Sequence, residues 1–229
     1  ALTLGRGLSV PENKIPPKER TPPMALKTRL TEMLNVKHPI MLAGMGGVSY
    51  AEVCAAMCNA GGYGVLGMAG TGPDFIAGQM KRVRELTDKP FGVDLLAASP
   101  ESLEESVDVI IKGGADSFVA GLGVPMPIMK RLKDAGVKVM VVGGAVKHAI
   151  KAEQAGCDAV ILQGGEGGGH TGLVGTMPLV AQAVANLVRN AVEAMRVGAY
   201  DFLEKPFNPD RMTELTKKAT QARRMTLDN

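Results

Sequence analysis

The chain of 229 residues contains no tryptophan, three tyrosines and five phenylalanines. A core with so few rings has to be filled by Ala, Val, Ile, Leu and Met, and 14 methionines are present to help do so. That composition suits buried parallel strands and close helix packing better than an antiparallel sandwich. Cysteine is scarce and odd in number. Cys54, Cys58 and Cys157 do not make a disulfide framework, and the Cys54–Cys58 spacing lacks the second Cys/His pair of a zinc site. They read as small buried apolar residues. No run of 18 apolar residues occurs, so no transmembrane helix is predicted. The N-terminal segment has no apolar h-region, and the expectation is a cytoplasmic protein with no signal peptide and no membrane partner. Charge of one sign is lacking too: 26 Lys and Arg against 23 Asp and Glu leave +3, too little to argue for nucleic acid. There is no Gly-Lys-Ser/Thr P-loop and no GxGxxG with an acidic residue downstream. No metal-spaced set of side chains occurs, so no metal is expected. Hydrophobic residues at 45% and charged residues at 21% exclude disorder throughout.

What the chain has is glycine, 29 residues of it, in a repeating pattern. Residues 1–23 carry five prolines and little apolar periodicity, and read as a flexible tail. Residues 24–229 read as a single domain. Short apolar runs ending in glycine alternate there with helix-period stretches. The predicted strands are His38–Ala43, Gly64–Leu66, Phe91–Leu95, Ser117–Ala120, Lys138–Val142 and Ala159–Gln163. Ser49 and Glu52 have capping-box spacing, and Ser99-Pro100-Glu101 places a cap before a first-turn proline. Pro73, Pro125 and Pro178 fit the same first-turn role. Ala60–Gly62, Gly113–Gly114, Ala135–Gly136 and Ala155–Gly156 mark helix ends. Leu179–Met195 carries one long amphipathic stripe, Tyr200–Leu203 reads as a seventh strand and Pro209–Arg224 as a last helix. Alternating strands and helices with apolar strands imply an α/β fold with a parallel sheet, of the (βα) TIM-barrel-like kind. Seven strands leave it one βα unit short of eight.

Glycines crowd the carboxyl ends of these strands, the face where parallel α/β folds bind ligands. The strongest segment is Gln163-Gly-Gly-Glu-Gly-Gly-Gly-His170-Thr-Gly172. Its backbone can wrap a ligand, and His170 is the candidate acid/base group. Glu166 reads as a solvated or loop-ordering residue. Asp94 ends an apolar strand, where a carboxylate needs either a ligand or a loop bond. Lys147 is a candidate anion contact, whereas His148 reads as a surface or capping residue and His38, at the opposite end, as structural. The Gly44–Gly47 turn is suited to approach a planar ring or a phosphate.

The segments Met41–Ser49 (MLAGMGGVS), Pro90–Ala97 (PFGVDLLA), Val142–Gly172 and Gly175–Val180 (GTMPLV) resemble the nitronate monooxygenases, formerly 2-nitropropane dioxygenases, over about Met24–Val184. The flavin-dependent enoyl-acyl-carrier-protein reductase II enzymes are similar. The resemblance implies a (βα)8 barrel with FMN over the carboxyl ends of its strands. It implies His170 as the catalytic histidine, with Gln163 and Gly168, beside Gly169, at flavin-contacting positions. It sets Ala43, Gly44, Met45 and Gly46 against the isoalloxazine, and Asp94 where many members carry a flavin-contacting Asn. The implied reaction joins a small nitronate or nitroalkane with O2 and yields a carbonyl compound and nitrite. Enoyl reduction with NAD(P)H on the same FMN is the alternative.

After Val184 the family's Ala-Gly-Gly and Gly-Thr-Arg-like phosphate loops are not found. Ala191–Asn229 instead resembles the end of a response-regulator receiver domain, with Lys205-Pro206 matching its strand-five Lys-Pro. The expectation is an incomplete or chimeric barrel, joined near Ala185–Asn190 to a flavodoxin-like last unit. A scaffold without activity, and a homodimer covering the open edges, are the readings that follow from it.

Overall fold

The computed structural model describes residues 26–196 together with Glu214, Lys217 and Lys218, and residues 188–196 by their backbone alone. The elements follow in the order α1 (Arg29–Leu34), α2 (Ala51–Asn59), β1 (Gly64–Gly67), α3 (Pro73–Leu86), β2 (Phe91–Leu96), α4 (Pro100–Lys112), β3 (Ser117–Gly121), α5 (Met126–Asp134), β4 (Lys138–Gly143), α6 (Val146–Gln154), β5 (Ala159–Leu162) and α7 (Thr176–Arg196). All strand pairs are parallel, and the sheet order is β1-β2-β3-β4-β5. Strands that neighbour each other in sequence therefore neighbour each other in space. A doubly wound sheet reverses its order at a switch point, whereas a βα barrel does not. The fold is thus a parallel α/β fold of the barrel type, as the alternating pattern predicts.

The two faces of the sheet pack differently. One buries Leu66, Val93, Leu95, Phe118, Ala120, Val139 and Val141 against Cys54 and Cys58 of α2, Ile76 and Met80 of α3, Leu103 and Ile110 of α4, Ile128 and Leu132 of α5 and Ala152 of α6. The other carries Val65, Val119 and Met140, closed at the amino end by Leu34 of α1 and by Tyr63. Tyr63 donates its buried hydroxyl to Ser117 Oγ at 2.7 Å. Each large apolar side chain removed from water in this way contributes about 1.5–3 kcal/mol. All three cysteines are free and buried.

The helix ends share one joint. After α2, α4, α5 and α6 a glycine takes up the left-handed conformation: Gly61 (φ 91°), Gly114 (φ 71°), Gly136 (φ 75°) and Gly156 (φ 82°). Around each, two backbone N–H groups turn back onto the last helical turn, as in Gly61 N–H to Cys58 O (3.0 Å) and Gly62 N–H to Met57 O (3.1 Å). This is the Schellman arrangement, and it satisfies carbonyls that the helix leaves unpaired.

Several local expectations are corrected. The strand expected at His38–Ala43 is reduced to a single bridge, Met41 with Tyr63. Pro39 brings no N–H to a ladder, and the chain turns away at Gly44. Ser49 does not cap α2; Tyr50 holds that position without a side-chain bond. The capping box belongs to α1, where Thr28 and Thr31 bond reciprocally. Ser99 stands at the N-cap of α4 but makes no side-chain cap bond. Pro125 is itself the N-cap of α5, so Pro127 is the first-turn proline there. Helix α7 begins at Thr176, earlier than Leu179, and its backbone continues through 185–190 to Arg196. The seventh strand and last helix expected at Tyr200–Leu203 and Pro209–Arg224 lie outside the described residues, apart from helical Glu214, Lys217 and Lys218. Among the described residues no helix is long and apolar enough to cross a membrane.

Candidate active site

The first loop, 42–49, reaches across the carboxyl ends of β1 and β2. Its turn is closed by Val48 N–H and Ser49 N–H, both donating to Met45 O (3.1 and 2.9 Å). Ser49, fully buried, accepts Met45 N–H on its hydroxyl at 2.7 Å. Ser49 O in turn accepts Gly67 N–H at 3.0 Å, which fastens the loop to the end of β1. The approach is too close for side chains. A Cβ on Gly44 would stand 2.3 Å from Asp94 Cβ and Oδ2, and one on Gly67 would stand 2.4 Å from Met45 N. These glycines set the Ala43–Gly46 turn directly against Asp94.

Asp94 lies on the sheet face opposite the helices α2–α6, paired in register with Gly67 on one side and Val119 on the other. It is 8% exposed, yet no described residue donates a hydrogen bond to its carboxyl group. Burial pushes the Asp94 carboxyl up to about 7, because a charge stripped of most of its water and given no partner is the disfavoured form.

A second group forms at the ends of β4 and β5. Gln163 N–H donates to Gly143 O (3.0 Å), and its side-chain amide donates to Gly168 O. The loop that follows is tied back on itself. Gly165 N–H donates to Val174 O (3.0 Å). Glu166 accepts the backbone N–H of Thr176 at 2.8 Å and its hydroxyl at 3.0 Å. The carboxyl of Glu166 is held below the usual range by its own backbone N–H, then by the N–H and hydroxyl of Thr176. It stands at the amino end of α7, where the helix dipole also favours a negative charge. Glu166 therefore orders the loop, as expected of it.

The same loop crosses the end of β4, where Gly144 and Gly172 meet so closely that a Cβ on Gly144 would stand 2.8 Å from Gly172 N. His170 is carried on this loop, exposed, with no side-chain hydrogen bond to a described residue. Gly168 and Gly169 beside it have open space. Lys147 is exposed in the first turn of α6. His148 accepts Gly144 N–H on Nδ1 at 3.2 Å, the capping role expected of it.

The sheet thus brings Ala43, Gly44, Met45 and Gly46 together with Asp94, and Gln163, Gly168 and Gly169 together with His170, next to Lys147. The two groups stand at one end of the sheet with β3 between them, and no hydrogen bond joins them among the described residues. One contributor has no sequence signal. Leu122, after β3, takes a left-handed backbone (φ 56°) and is 45% exposed. Leucine is not enriched there, so only its two flanking glycines hint at the turn.

A parallel barrel-type sheet with glycine-rich loops at its carboxyl ends defines the class: a βα-barrel scaffold of the kind that binds ligands at that face. The sequence matches the nitronate monooxygenase family over residues 27–198, which passes through 185–190 without a break. The chain belongs to that family, whose members are flavin-dependent oxidoreductases. It is 42% identical over 165 residues to the (3aS,4S,5R,7aS)-5-hydroxy-7a-methyl-1-oxo-octahydro-1H-indene-4-carboxyl-CoA dehydrogenase of Mycobacterium tuberculosis, covering 71% of this chain and 46% of the relative. It is 32% identical over 207 residues to a probable nitronate monooxygenase of Staphylococcus saprophyticus, covering 70% and 58%. Among solved structures, FabK from Thermotoga maritima superposes with a TM-score of 0.67 at 36% identity, over 70% of this chain and 51% of that one. The nitroalkane oxidase of Streptomyces ansochromogenes gives 0.60 at 30% identity, over 68% and 57%. The chain spans about half the length of the curated relatives it matches.

Proposed function

We propose that the chain forms the flavin- and substrate-facing part of an FMN-dependent oxidoreductase that oxidises alkyl nitronates with O2 to a carbonyl compound and nitrite. The observation that carries this reading is the pair of polar side chains left without a hydrogen-bond partner among the described residues at one end of the sheet. Asp94 is buried under the first loop, and His170 is held over the end of β4 by a glycine loop with open space beside it. Both features fit a planar cofactor: a buried polar group waiting for a partner, and a backbone with no side chains in the way. Ala43, Gly44, Met45, Gly46 and Asp94 would hold one side of such a ring. Gln163, Gly168, Gly169 and Lys147 would hold the other end, with Lys147 the available cation.

The bound flavin supplies electron transfer between substrate and dioxygen. His170 supplies charge and proton handling. Protonated, its imidazolium attracts the anionic nitronate; neutral, it removes the proton from the carbon that bears the nitro group of a nitroalkane. Its exposed position on a loop lets it meet a substrate entering from solvent.

A second reading is oxidation or reduction of an acyl thioester on the same flavin. It is favoured by the similarity to the Mycobacterium tuberculosis carboxyl-CoA dehydrogenase and by exposed apolar side chains at this end of the sheet, Met45, Leu122, Leu173 and Met177.

The test is the visible spectrum of the purified chain with added FMN, followed anaerobically. A bound flavin that bleaches with a nitronate supports the first reading, and bleaching only with NAD(P)H supports the second. His170→Asn is expected to abolish nitronate turnover with flavin retained. Loss of the flavin in that variant would make His170 a structural residue instead.

A further inference from the structure

Asp94 is the one carboxyl group of the described chain that is buried and that no described group contacts with a hydrogen bond. The other buried polar side chain at this end, Ser49, has partners and closes the first loop. Nothing in the fold explains an acid at position 94. It does not cap a helix, and it does not pair with Lys or Arg. Its carboxyl lies under Gly44, with Oδ1 4.0 Å from where a Cβ on Gly121 would stand. Glycines thus flank it on the first loop, on β1 and on β3.

We infer that Asp94 binds the flavin as a neutral acid, donating its own proton to an acceptor atom of a ring seated against Gly44–Gly46, and that ionisation of Asp94 releases the ring. This rests on the flavin reading above. The donor role follows from what surrounds the carboxyl. The first loop, β1 and β3 contain no ionisable side chain. Among the described residues the remaining ionisable groups at the carboxyl end are Tyr50, half-buried with its ring against Phe75, and Asp74, Glu101, Lys147, His148, Glu166 and His170, all six exposed. Among the described residues no cation and no N–H therefore compensates a carboxylate at position 94, and burial favours the protonated form. A protonated carboxyl is a strong donor with one proton to give. An acceptor on the ligand satisfies it, whereas a carboxylate in its place would face that acceptor lone pair to lone pair. The upward displacement of its titration to about 7 puts the switch within the physiological range.

The experiment is an FMN titration of the full chain at pH 6.0 and pH 8.5, read by quenching of flavin fluorescence, on wild type and on Asp94→Asn. Asn keeps the shape and a donor but has no proton to lose. If only the neutral acid binds, wild-type affinity falls by about 30-fold between these pH values. The variant carries the same titration of the FMN phosphate, so the ratio between the two proteins isolates position 94. The expected result is a ratio above about tenfold. Equal pH dependence in both proteins overturns the inference and leaves the flavin reading intact, and so does wild-type binding that tightens with pH, because Asp94 would then act as a charged acceptor. No binding of FMN by either protein at either pH overturns both. A second readout does not depend on the variant folding. The ¹³C carboxyl signal of Asp94 in wild type should titrate near neutrality and move further up when FMN is saturating. A signal that titrates in the ordinary carboxylate range, or that FMN leaves in place, overturns the inference.

Discussion

Two glycine-rich segments lie at the same end of the sheet and use glycine for opposite reasons. In the first loop and at the end of β1, Gly44 and Gly67 stand where a single added carbon would meet Asp94 or the Met45 backbone at 2.3–2.4 Å. Nothing larger fits. In the loop of His170, a Cβ added to Gly168 or Gly169 would meet nothing within 4 Å, and the loop is held by Glu166 and Gln163. There, glycine leaves room. Glycine density in a sequence signals that backbone must come close to something. In the first segment that something is the protein itself; in the second, only Gly168 and Gly169 face open space, while Gly164 and Gly172 meet backbone as closely as Gly67 does. The first should therefore resist change, and the second should tolerate it at Gly168 but not at Gly164, at Gly172 or at left-handed Gly169 (φ 75°).

The strongest way to break this contrast is Gly67→Ala. Its Cβ would collide with main-chain atoms rather than with a side chain that can swing aside, so the first loop must leave the sheet. A loss above about 4 kcal/mol in urea unfolding is expected. A loss under about 1 kcal/mol would mean that the loop is not locked.

The acid under that loop gives the next largest effect. Burial raises Asp94 to about 7, so the folded protein holds its proton more tightly than the unfolded chain does. Below about pH 4 both states are protonated and nothing is lost. As the pH climbs from about 4 to about 7 the unfolded state releases its proton first and stability falls; above that the full penalty remains. Its size is up to about 4 kcal/mol. Without ligand, Asp94→Asn should match wild type in acid and exceed it at pH 8, as read from denaturant midpoints across pH. Parallel stability curves for the two proteins would place the carboxyl in water.

The smallest effect sharpens the other half of the contrast. Gly168→Ala should change stability by less than about 0.5 kcal/mol, read from the same unfolding curves. A cost near 2 kcal/mol would show that the second loop is packed as tightly as the first.

The parts of this molecule legible in its sequence are those where one residue type has one physical reason to be present. Gly61, Gly114, Gly136 and Gly156 mark helix ends because a left-handed residue is needed there. Asp94 stands out as an acid in an apolar strand, and its burial follows from its neighbours. That it has no partner does not, because partners come from other strands. Ser49 and Glu52 match a capping box in spacing, but the same hydroxyl serves a tight turn equally well, and here it binds Met45. The run His38–Ala43 is apolar enough for a strand, but pattern alone does not say how many of its residues find a ladder. Leu122 reveals nothing of its backbone, since a leucine in the left-handed region is imposed by the turn around it.

The sequential order of the strands has a consequence for how the molecule is made. Gly64 pairs with Phe91, Gly92 with Ser117, Ser117 with Lys138 and Met140 with Ala159. Every strand finds its partner within about 30 residues of newly made chain, a separation about as short as a helical crossover between parallel strands allows. The sheet can grow outward as it leaves the ribosome, each unit templated by the one before. At about 5–20 residues per second, His170 emerges several seconds after Asp94. The acid and the loop that covers it can be in place before the histidine has been synthesised.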